Sequence, residues 1–258
     1  MPTVQRVMRT AAFAFAILAL APIAADAASK ETEHLNQTAA LAPGGTLRLK
    51  NFSGRVTITG TDRTDASIDA IRRATRDRLD HIKLDIHTEG STLVVNANRQ
   101  DYSWYNWSRN NRVVETDLDI KVPRNTNLDI DVFSSPVTID GVEGTQKVHG
   151  FSSRVRFDNV SGALRAHTFS GSVEIGARTW QPNQSIDVDT FSGNVTLHVP
   201  ESAGGTVTFN SFSGHLNSDI PLTLRSTSRR SVKAQLGSAA NGGTLSFKTF
   251  SGSVKIDR

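Results

Sequence analysis

The 258-residue chain contains no cysteine. This absence excludes disulfide bonds, thiol chemistry and the lipid-modified cysteine of bacterial lipoproteins. In an exported chain, a lack of cysteine fits the bacterial periplasm or beyond. The fold must then be held by an apolar core, and a chain of this length is long enough to build one.

Long apolar segments are also scarce. One uninterrupted apolar run, residues 11–21, follows two arginines and is too short to span a bilayer comfortably. Ala25-Asp26-Ala27 then matches a signal-peptidase site, so residues 1–27 are predicted to be a secretory signal peptide and the mature chain to start at Ala28. An uncleaved anchor helix is the alternative. We therefore predict an exported protein of the periplasm or cell envelope of a Gram-negative bacterium.

Charge of either sign is not in large excess. The chain has 29 basic and 25 acidic residues, a formal net charge of +4. In an exported protein with this balance, nucleic acid is not expected as a partner. Basic residues do cluster, in one group of Arg72, Arg73, Arg76 and Arg78 and in a second of Arg225, Arg229, Arg230 and Lys233. Such clusters either contact anionic lipid headgroups or form a solvated face.

What the chain does contain is a repeat. A variant of Phe-Ser-Gly/Ser-x-Val/Leu occurs seven times, and most neighbouring copies are about 20 residues apart. The copies begin at Phe52, Phe133, Phe151, Phe169, Phe191, Phe212 and Phe250. Such a period indicates repeated β units that stack in space, rather than a single catalytic pocket.

Each copy lies between two stretches in which apolar and polar residues alternate. The positions five and three before the Phe, and four and six after it, are apolar except at Gln146 and Ser218. Alternation with period two indicates strands with one buried face, so each unit is predicted to be a strand, a corner at Phe-Ser-Gly and a second strand. Glycine suits a corner that needs an unusual φ or a close backbone approach. Ser135 and Ser153 replace it in two copies.

A lone unit cannot bury its apolar face, but units stacked in parallel register about 4.8 Å apart bury all of these faces together. The predicted fold is therefore all-β: a parallel, β-helix-like solenoid of two-strand units with Phe-Ser-Gly corners and an N-terminal β insertion. We expect a lead-in at 28–43 and a single β-solenoid domain at 44–258. That domain would comprise a less regular insertion at 60–127, regular repeats at 128–220 and a degenerate and terminal unit at 221–258.

The less regular parts still carry strand patterns. The insertion contains a predicted hairpin over 82–95 and a strand over 118–122, whereas 66–79 fits either a strand or a short helix. A weak strand is expected at 232–236. The last predicted strand, 254–256, ends without a capping helix, and a bare solenoid edge would invite pairing with another chain. Self-association through this open C-terminal edge is therefore a prediction.

Stacking places equivalent positions of the units above one another. Two residues before the Phe, four consecutive units supply a column of Asp131, His149, His167 and Asp189. His and carboxylate ligands at steps of about 4.8 Å can hold a divalent cation. The alternative is an exposed ladder in which each Asp pairs with the adjacent His. Four residues before the Phe, the same units supply Asp129, Lys147, Arg165 and Asp187, so that each acidic residue has a basic neighbour.

The serine that follows each Phe would also form a ladder, for which a structural purpose is expected. A serine becomes a nucleophile only beside a base, and no acid–base set recurs beside these serines, although His149 or His167 could be proposed. An enzyme acting on polysaccharides, a lyase or hydrolase, would need converging carboxylates or a metal beside a basic residue. Its nearest candidates are Asp187, Asp189, Arg165 and His167. The regular stack lacks long loops to wall a groove, which argues against an enzyme.

Tyrosine and tryptophan are few, and most of them lie together. Four of the five lie within six residues, at Tyr102, Trp104, Tyr105 and Trp107. Exposed aromatic side chains of this kind can stack on sugar rings or lie at a lipid interface. They can equally plug the side or end of the solenoid. If the protein binds a ligand, this segment is predicted as the binding site, in preference to the histidine column.

Three features carry a family resemblance: Gly-Gly-Thr-Leu at 44–47, Val122-Pro123 before Leu-Asp-Ile-Asp, and the Phe-Ser-Gly-x-Val-x-Ile units. With these features the chain resembles a large bacterial family of domains of unknown function. The resemblance covers residues 44–258. Family members are described as putative adhesins with β-strand repeats, and they supply no catalytic motif to carry over. The leading hypothesis is a non-catalytic envelope protein without a cofactor, which presents a surface to a glycan, membrane or protein partner. A periplasmic sensor or regulatory partner protein is a further hypothesis.

Overall fold

The computed structural model describes residues 29–100, 113–159, 161–237 and 242–258. In these residues, sheets of ten and eleven strands contribute apolar side chains to one shared core. Most pairs of neighbouring strands are parallel. The predicted all-β stack of parallel strands is therefore confirmed.

The first sheet contains β1 (Glu31–Ala39), β3 (Val56–Thr61), β4 (Ala66–Ala74), β7 (Glu115–Pro123), β9 (Val137–Asp140), β11 (Val155–Asp158), β13 (Val173–Gly176), β15 (Val195–His198), β17 (Leu216–Ser218) and β21 (Val254–Asp257). The second sheet contains β2 (Thr46–Ser53), β5 (Ile82–Glu89), β6 (Thr92–Gln100), β8 (Asn127–Ser134), β10 (Gln146–Ser152), β12 (Leu164–Ser170), β14 (Ser185–Ser192), β16 (Gly204–Ser211), β18 (Leu222–Ser228), β19 (Ser231–Leu236) and β20 (Gly242–Thr249). One short helix, α1 (Arg76–His81), connects β4 to β5.

The strands follow the register predicted from the apolar columns. In the first sheet, Val155 of β11 pairs with Val137 on one side and with Val173 on the other. In the second sheet, Leu164 of β12 pairs with Ile186 of β14. All five side chains are buried, because alternate residues of a strand point to opposite faces of the sheet.

The two polar interruptions of these columns bond to nearby backbone. Gln146 is buried, and its Nε2 donates a hydrogen bond to the carbonyl oxygen of Val142 at 2.7 Å. The Ser218 hydroxyl donates to the carbonyl oxygen of Ile220 at 2.7 Å. A polar side chain is tolerated in a column when a hydrogen bond offsets the loss of water.

The Phe-Ser-Gly corner needs glycine because neighbouring backbones approach closely there. A Cβ atom at Gly193 would overlap the carbonyl oxygen of Gly171, and one at Gly252 would overlap that of Gly193. Gly171 also has a φ of 143°, but close approach is the constraint that these corners share. Where Ser135 and Ser153 replace glycine, both side chains are buried, and the Ser153 Oγ accepts a hydrogen bond from the Ser135 N–H at 3.3 Å.

The last repeat of the chain does not lie at the end of the stack. β20 lies between β14 and β16, and β21 lies between β15 and β17. The expectation that the final strand presents a bare C-terminal edge is therefore wrong, because this strand is paired on both sides. In the described residues the edges at this end are β17, which has three residues, and β18, the outer strand of an antiparallel hairpin with β19. Self-association itself stays a prediction.

The less regular parts of the chain extend both sheets. β5 and β6 form the predicted hairpin, and β6 continues the parallel stack beside β2. Residues 66–79 supply both structures that the pattern allowed, a strand followed by the start of a helix. β1 lies in the predicted lead-in and pairs with β4 along its whole length, so this segment joins the first sheet. No helix among the described residues is long and apolar enough to cross a membrane.

Candidate binding surface

The outer face of the second sheet carries the phenylalanine of every repeat. In β10, Val148 and Gly150 are buried, whereas Lys147 and Phe151 are exposed. The phenylalanine thus shares its face with the polar positions two and four residues before it. The seven repeat phenylalanines are 40% to 55% exposed, and among the described residues only Leu224 joins them as an exposed large apolar side chain.

These seven rings form one continuous stack, here called the phenylalanine ridge. Along the sheet its members follow the order Phe212, Phe250, Phe191, Phe169, Phe151, Phe133 and Phe52. Neighbouring ring centroids are 4.5 to 4.9 Å apart and neighbouring planes differ by 11° or less. Because each ring face lies against the next ring, the ridge presents ring edges to solvent.

The ridge is large for an exposed apolar surface. Six steps of strand spacing make it roughly 29 Å long. If each aromatic side chain offers about 200 Å², the exposed fractions amount to roughly 600 Å². That value lies at the upper end of the apolar patches that monomeric proteins usually expose, and patches of this size mark interaction sites. The ridge is therefore the strongest candidate for a functional surface.

A shallow groove of about 580 Å³ runs beside part of the ridge. Its walls include Phe52, Phe133, Phe151, Phe169, His149 and His167. One side of the groove is thus apolar and aromatic, while the other carries side chains that can hydrogen-bond. Such a combination lets a partner with an apolar edge and polar substituents lie along the sheet.

The predicted column of two histidines and two aspartates is formed, and Asp131, His149 and His167 of this column line the groove. His149 pairs in register with Asp131 and His167, and His167 pairs with Asp189. The two imidazole centroids are 5.9 Å apart, and the Nδ1 of His167 lies 3.8 Å from a carboxylate oxygen of Asp189. Within the described parts of the chain, no three potential ligand residues are grouped closely enough to hold a metal ion. The four residues therefore form an extended ladder, and metal binding there stays a prediction.

The charged column four residues before the phenylalanines is occupied by ion pairs. Arg48 lies 3.5 Å from Asp129, Lys147 lies 3.8 Å from the same carboxyl group, and Arg165 lies 3.4 Å from Asp187. Exposed pairs of this kind contribute at most about 1 kcal/mol each. The residues named as candidates for a polysaccharide-acting enzyme thus pair across neighbouring strands and do not converge on one point.

The serines after the phenylalanines have no base beside them. Among the described residues, none of these side chains forms a hydrogen bond with a histidine. A serine without a partner that accepts its proton remains a weak nucleophile. The arrangement fits the structural purpose expected for this ladder.

A second concavity, of about 470 Å³, lies on the outer face of the first sheet. Arg156 donates to Glu174 at 2.9 Å, and His198 forms an ion pair with Asp257. Burial raises the pKa of the Asp257 carboxyl, but Lys255 and His198 outweigh burial and hold this pKa below its usual range. Most of the charges around this concavity are paired, although Arg178 in its lining forms no ion pair with the described residues, so the concavity offers less to a ligand than the ridge does.

The aromatic segment singled out by the sequence, with Tyr102, Trp104, Tyr105 and Trp107, lies outside the described residues. Ligand binding by this segment stays a prediction. The ridge, by contrast, was missed as a surface. Its signal was present in the sequence, because in the strand that ends at each Phe the polar residues lie two and four positions before it and the apolar columns lie three and five positions before it.

The family model described as Toastrack DUF4097 matches residues 46–257. No curated protein matches the chain. Among solved structures, a "putative cell adhesion protein" from Clostridium sporogenes aligns over 87% of this chain and 99% of its own, with 13% identity and a TM-score of 0.46. A "putative adhesin" from Bacteroides fragilis aligns over 87% and 97%, with 13% identity and a TM-score of 0.33. A "putative lipid binding protein" from Parabacteroides distasonis aligns over 88% and 96%, with 11% identity and a TM-score of 0.32.

Proposed function

Since the chain belongs to the Toastrack DUF4097 family, we propose that it is an exported, non-catalytic protein of the bacterial envelope that binds a partner along the phenylalanine ridge. The observation that carries this proposal is the exposure of seven stacked rings on one sheet face. Ring stacking explains why the rings lie over one another. Stacking leaves the apolar edges of the rings exposed to water. A partner that covers these edges would gain the hydrophobic free energy of the buried ring area.

The orientation of the rings favours an aliphatic partner. A sugar ring stacks on the face of an aromatic side chain, and within the ridge both faces of each inner ring are already covered. At one end Arg230 covers the outer face of Phe212, with its guanidinium 4.4 Å from the ring centroid. The exposed C–H edges suit acyl chains or aliphatic side chains that lie lengthwise over several repeats. A glycan partner is therefore the less favoured of the three predicted classes.

The non-catalytic part of the proposal is supported by the polar side chains around the ridge. His167 and Arg165 each pair with an aspartate on the neighbouring strand, and the serines lack a base. Export is supported by the apolar segment and the A-x-A pattern at the N-terminus. Mass spectrometry of the exported protein should give a chain that begins at Ala28, and a chain that retains residues 1–27 would contradict this.

Two pairs of substitutions test the ridge. Phe151→Tyr with Phe169→Tyr keeps the stacked rings but adds hydroxyl groups, so retention on octyl-agarose should weaken while the melting temperature stays nearly unchanged. Phe151→Leu with Phe169→Leu keeps an apolar surface but removes stacking, so the melting temperature should fall while much of the retention persists. Tyrosine variants that bind as strongly as the parent would overturn the proposal.

A third variant separates the ridge from the aromatic segment. If Trp104→Ala with Trp107→Ala abolishes retention while the tyrosine variants retain it, binding belongs to the aromatic segment. If the tryptophan variant binds normally and the tyrosine variants do not, binding belongs to the ridge. Unfolding curves of every variant show whether a loss of binding is a loss of fold.

A further inference from the structure

We propose that the end of the stack formed by the β18–β19 hairpin is a docking site for an anionic lipid surface. The site, here called the basic hairpin cluster, consists of Leu224, Arg225, Arg229, Arg230 and Lys233. It adjoins one end of the phenylalanine ridge and shares only Phe212, the end ring, with it. Its test therefore does not depend on whether the ridge binds a partner.

The basic hairpin cluster has no counter-charge of its own. Residues 221–237 contain four basic residues and no aspartate or glutamate. All four basic side chains are exposed, and none of them forms an ion pair with any residue that the structure describes. Their positive potential is therefore available to an external anion.

The other basic cluster singled out by the sequence is neutralised at three of its four arginines, and Arg78 alone lacks an ion pair with the described residues. Arg73 lies 2.6 Å from Asp117, Arg76 lies 3.4 Å from Glu31, and Arg72 forms an ion pair with a glutamate of β1. From the sequence, both clusters are equally good candidates for contact with anionic headgroups. The structure distinguishes them, because the hairpin keeps all four of its cations free of described carboxylates, whereas the other cluster keeps only Arg78 free.

An exposed apolar surface accompanies this charge. Leu224 is 65% exposed, the highest value for a large apolar side chain among the described residues. It pairs with the buried Ala234 and thus points to the inner side of the sheet. The opposing sheet ends there in the three-residue β17 and leaves an open cavity of about 570 Å³. The cavity is lined by apolar residues that include Phe209, Phe212, Leu222 and Leu224, by Arg229 and Arg230, and by several serine, threonine and other polar side chains.

One arginine of the cluster is held in place by the ridge. The Arg230 guanidinium lies 4.4 Å from the ring centroid of Phe212. The backbone carbonyl oxygen of Arg230 accepts a hydrogen bond from the Ser211 N–H at 2.9 Å. An arginine stacked on an aromatic ring keeps its positive charge while the ring covers one face of the guanidinium. The arrangement places positive charge beside the apolar residues of the cavity.

Apolar side chains rimmed by unpaired arginines match the chemistry of a membrane surface with anionic headgroups. The headgroups would contact the guanidinium groups, while Leu224 and the cavity would receive apolar parts of the lipid. An acidic soluble protein would match the charge but would leave Leu224 unexplained. A free phosphate ion would match neither the cavity nor the leucine.

The test measures sedimentation of the exported protein with lipid vesicles. Vesicles of phosphatidylcholine with phosphatidylglycerol should bind the protein, and vesicles of phosphatidylcholine alone should bind it weakly. Arg225→Gln with Arg229→Gln should lower the affinity for the anionic vesicles roughly 30-fold at low salt. This is the loss expected when two basic side chains near an anionic membrane are neutralised. Rising ionic strength should weaken binding by the parent, because salt screens exposed charges.

Three further variants complete the test. Arg154→Gln with Arg178→Gln removes the same charge elsewhere on the surface and should leave binding nearly unchanged. Arg225→Lys with Arg229→Lys keeps the charge and should keep the binding. Leu224→Ser should weaken the part of the binding that resists salt.

Clear outcomes would overturn the proposal. Equal losses in the Arg225/Arg229 and Arg154/Arg178 variants would show that overall charge, and not this end of the stack, decides binding. Equal binding to both vesicle types would exclude an anionic surface as the partner. Full displacement by inorganic phosphate at constant ionic strength would indicate a site for the free ion instead of a membrane.

Discussion

Replacement of Phe169 by alanine removes the middle ring of the ridge. Phe169 stacks at 4.9 Å on each of its two neighbours, and each aromatic pair contributes about 0.5–1.5 kcal/mol beyond area burial. The ring is 45% exposed, so burial of the remaining surface contributes about 2–3 kcal/mol at 25 cal/mol per Å². Because area-based values are upper estimates, we expect the free energy of unfolding to fall by about 3 kcal/mol.

Phe212 provides the matched comparison, because it lies at the end of the ridge. It stacks on one ring, Phe250, at 4.9 Å, and its other face is covered by Arg230. Phe212 is also more exposed than Phe169. The same substitution should therefore lower the free energy of unfolding by about 2 kcal/mol, less than at the middle of the ridge.

Equilibrium unfolding in urea, followed by circular dichroism, measures both losses. A double variant of Phe151 and Phe169 closes a thermodynamic cycle, in which a coupling free energy of about 0.5–1.5 kcal/mol is expected if the rings stack in solution. Equal losses at Phe169 and Phe212, together with no coupling between Phe151 and Phe169, would refute a continuous ladder of rings.

Further predictions concern the corners, the core and pH. Gly193→Ala should destabilise the stack severely, because a Cβ there overlaps the neighbouring corner, whereas Gly176→Ala should be tolerated because its nearest contact is 3.6 Å; thermal unfolding compares them. Val173→Asp buries a charge and should cost about 3–5 kcal/mol, so an unchanged melting temperature would mean that the register is wrong. Burial raises the pKa of the Asp117 carboxyl, but hydrogen bonds from the Arg55 backbone and the Arg73 guanidinium outweigh burial and hold this pKa below its usual range. This stabilisation is complete above the unfolded-state pKa of about 3.9 and is lost as pH falls through the folded-state pKa, so the melting temperatures of the parent and Asp117→Asn should differ at neutral pH and converge in acid. A difference that stays constant into acid would contradict this assignment.

The fold could be predicted from the sequence wherever its period is two residues. Apolar columns such as that of Val137, Val155 and Val173 fix which side of each strand is buried, and parallel stacking follows because equivalent positions must meet. The same alternation places the phenylalanines on the outer face of the second sheet. An aromatic residue in a repeat nevertheless suggests a position in the core. The exposure of Phe169 is therefore a consequence of register that overrides the preference of its side chain.

The order of the units could not be predicted in the same way. The strands beginning at Gly204 and Gly242 carry similar patterns, so either could pair with β14 and keep its apolar face buried. Period two specifies register within a pair of strands, but it does not specify which strands are neighbours. The roughly twenty residues between β17 and β20, which include β18 and β19, are long enough to bring the chain back along the stack. As a result β20 pairs between β14 and β16, ahead of the unit that precedes it in the sequence. Contacts between distant parts of the chain, which no local pattern records, decide the order.

The uniformity of the phenylalanine ridge limits what it can recognise alone. Strand spacing sets the distance between the rings, so an extended apolar partner shifted by one strand, about 4.8 Å, meets nearly the same surface again. The ridge can therefore supply affinity without fixing the position of a partner. The neighbouring polar column is not uniform, since Lys50 and Lys248 lie beside the aspartates that flank the histidine pair, and Asn210 follows Lys248. Position along the ridge must come from this column and from the basic hairpin cluster at one end, because these are the features that the repeat does not copy.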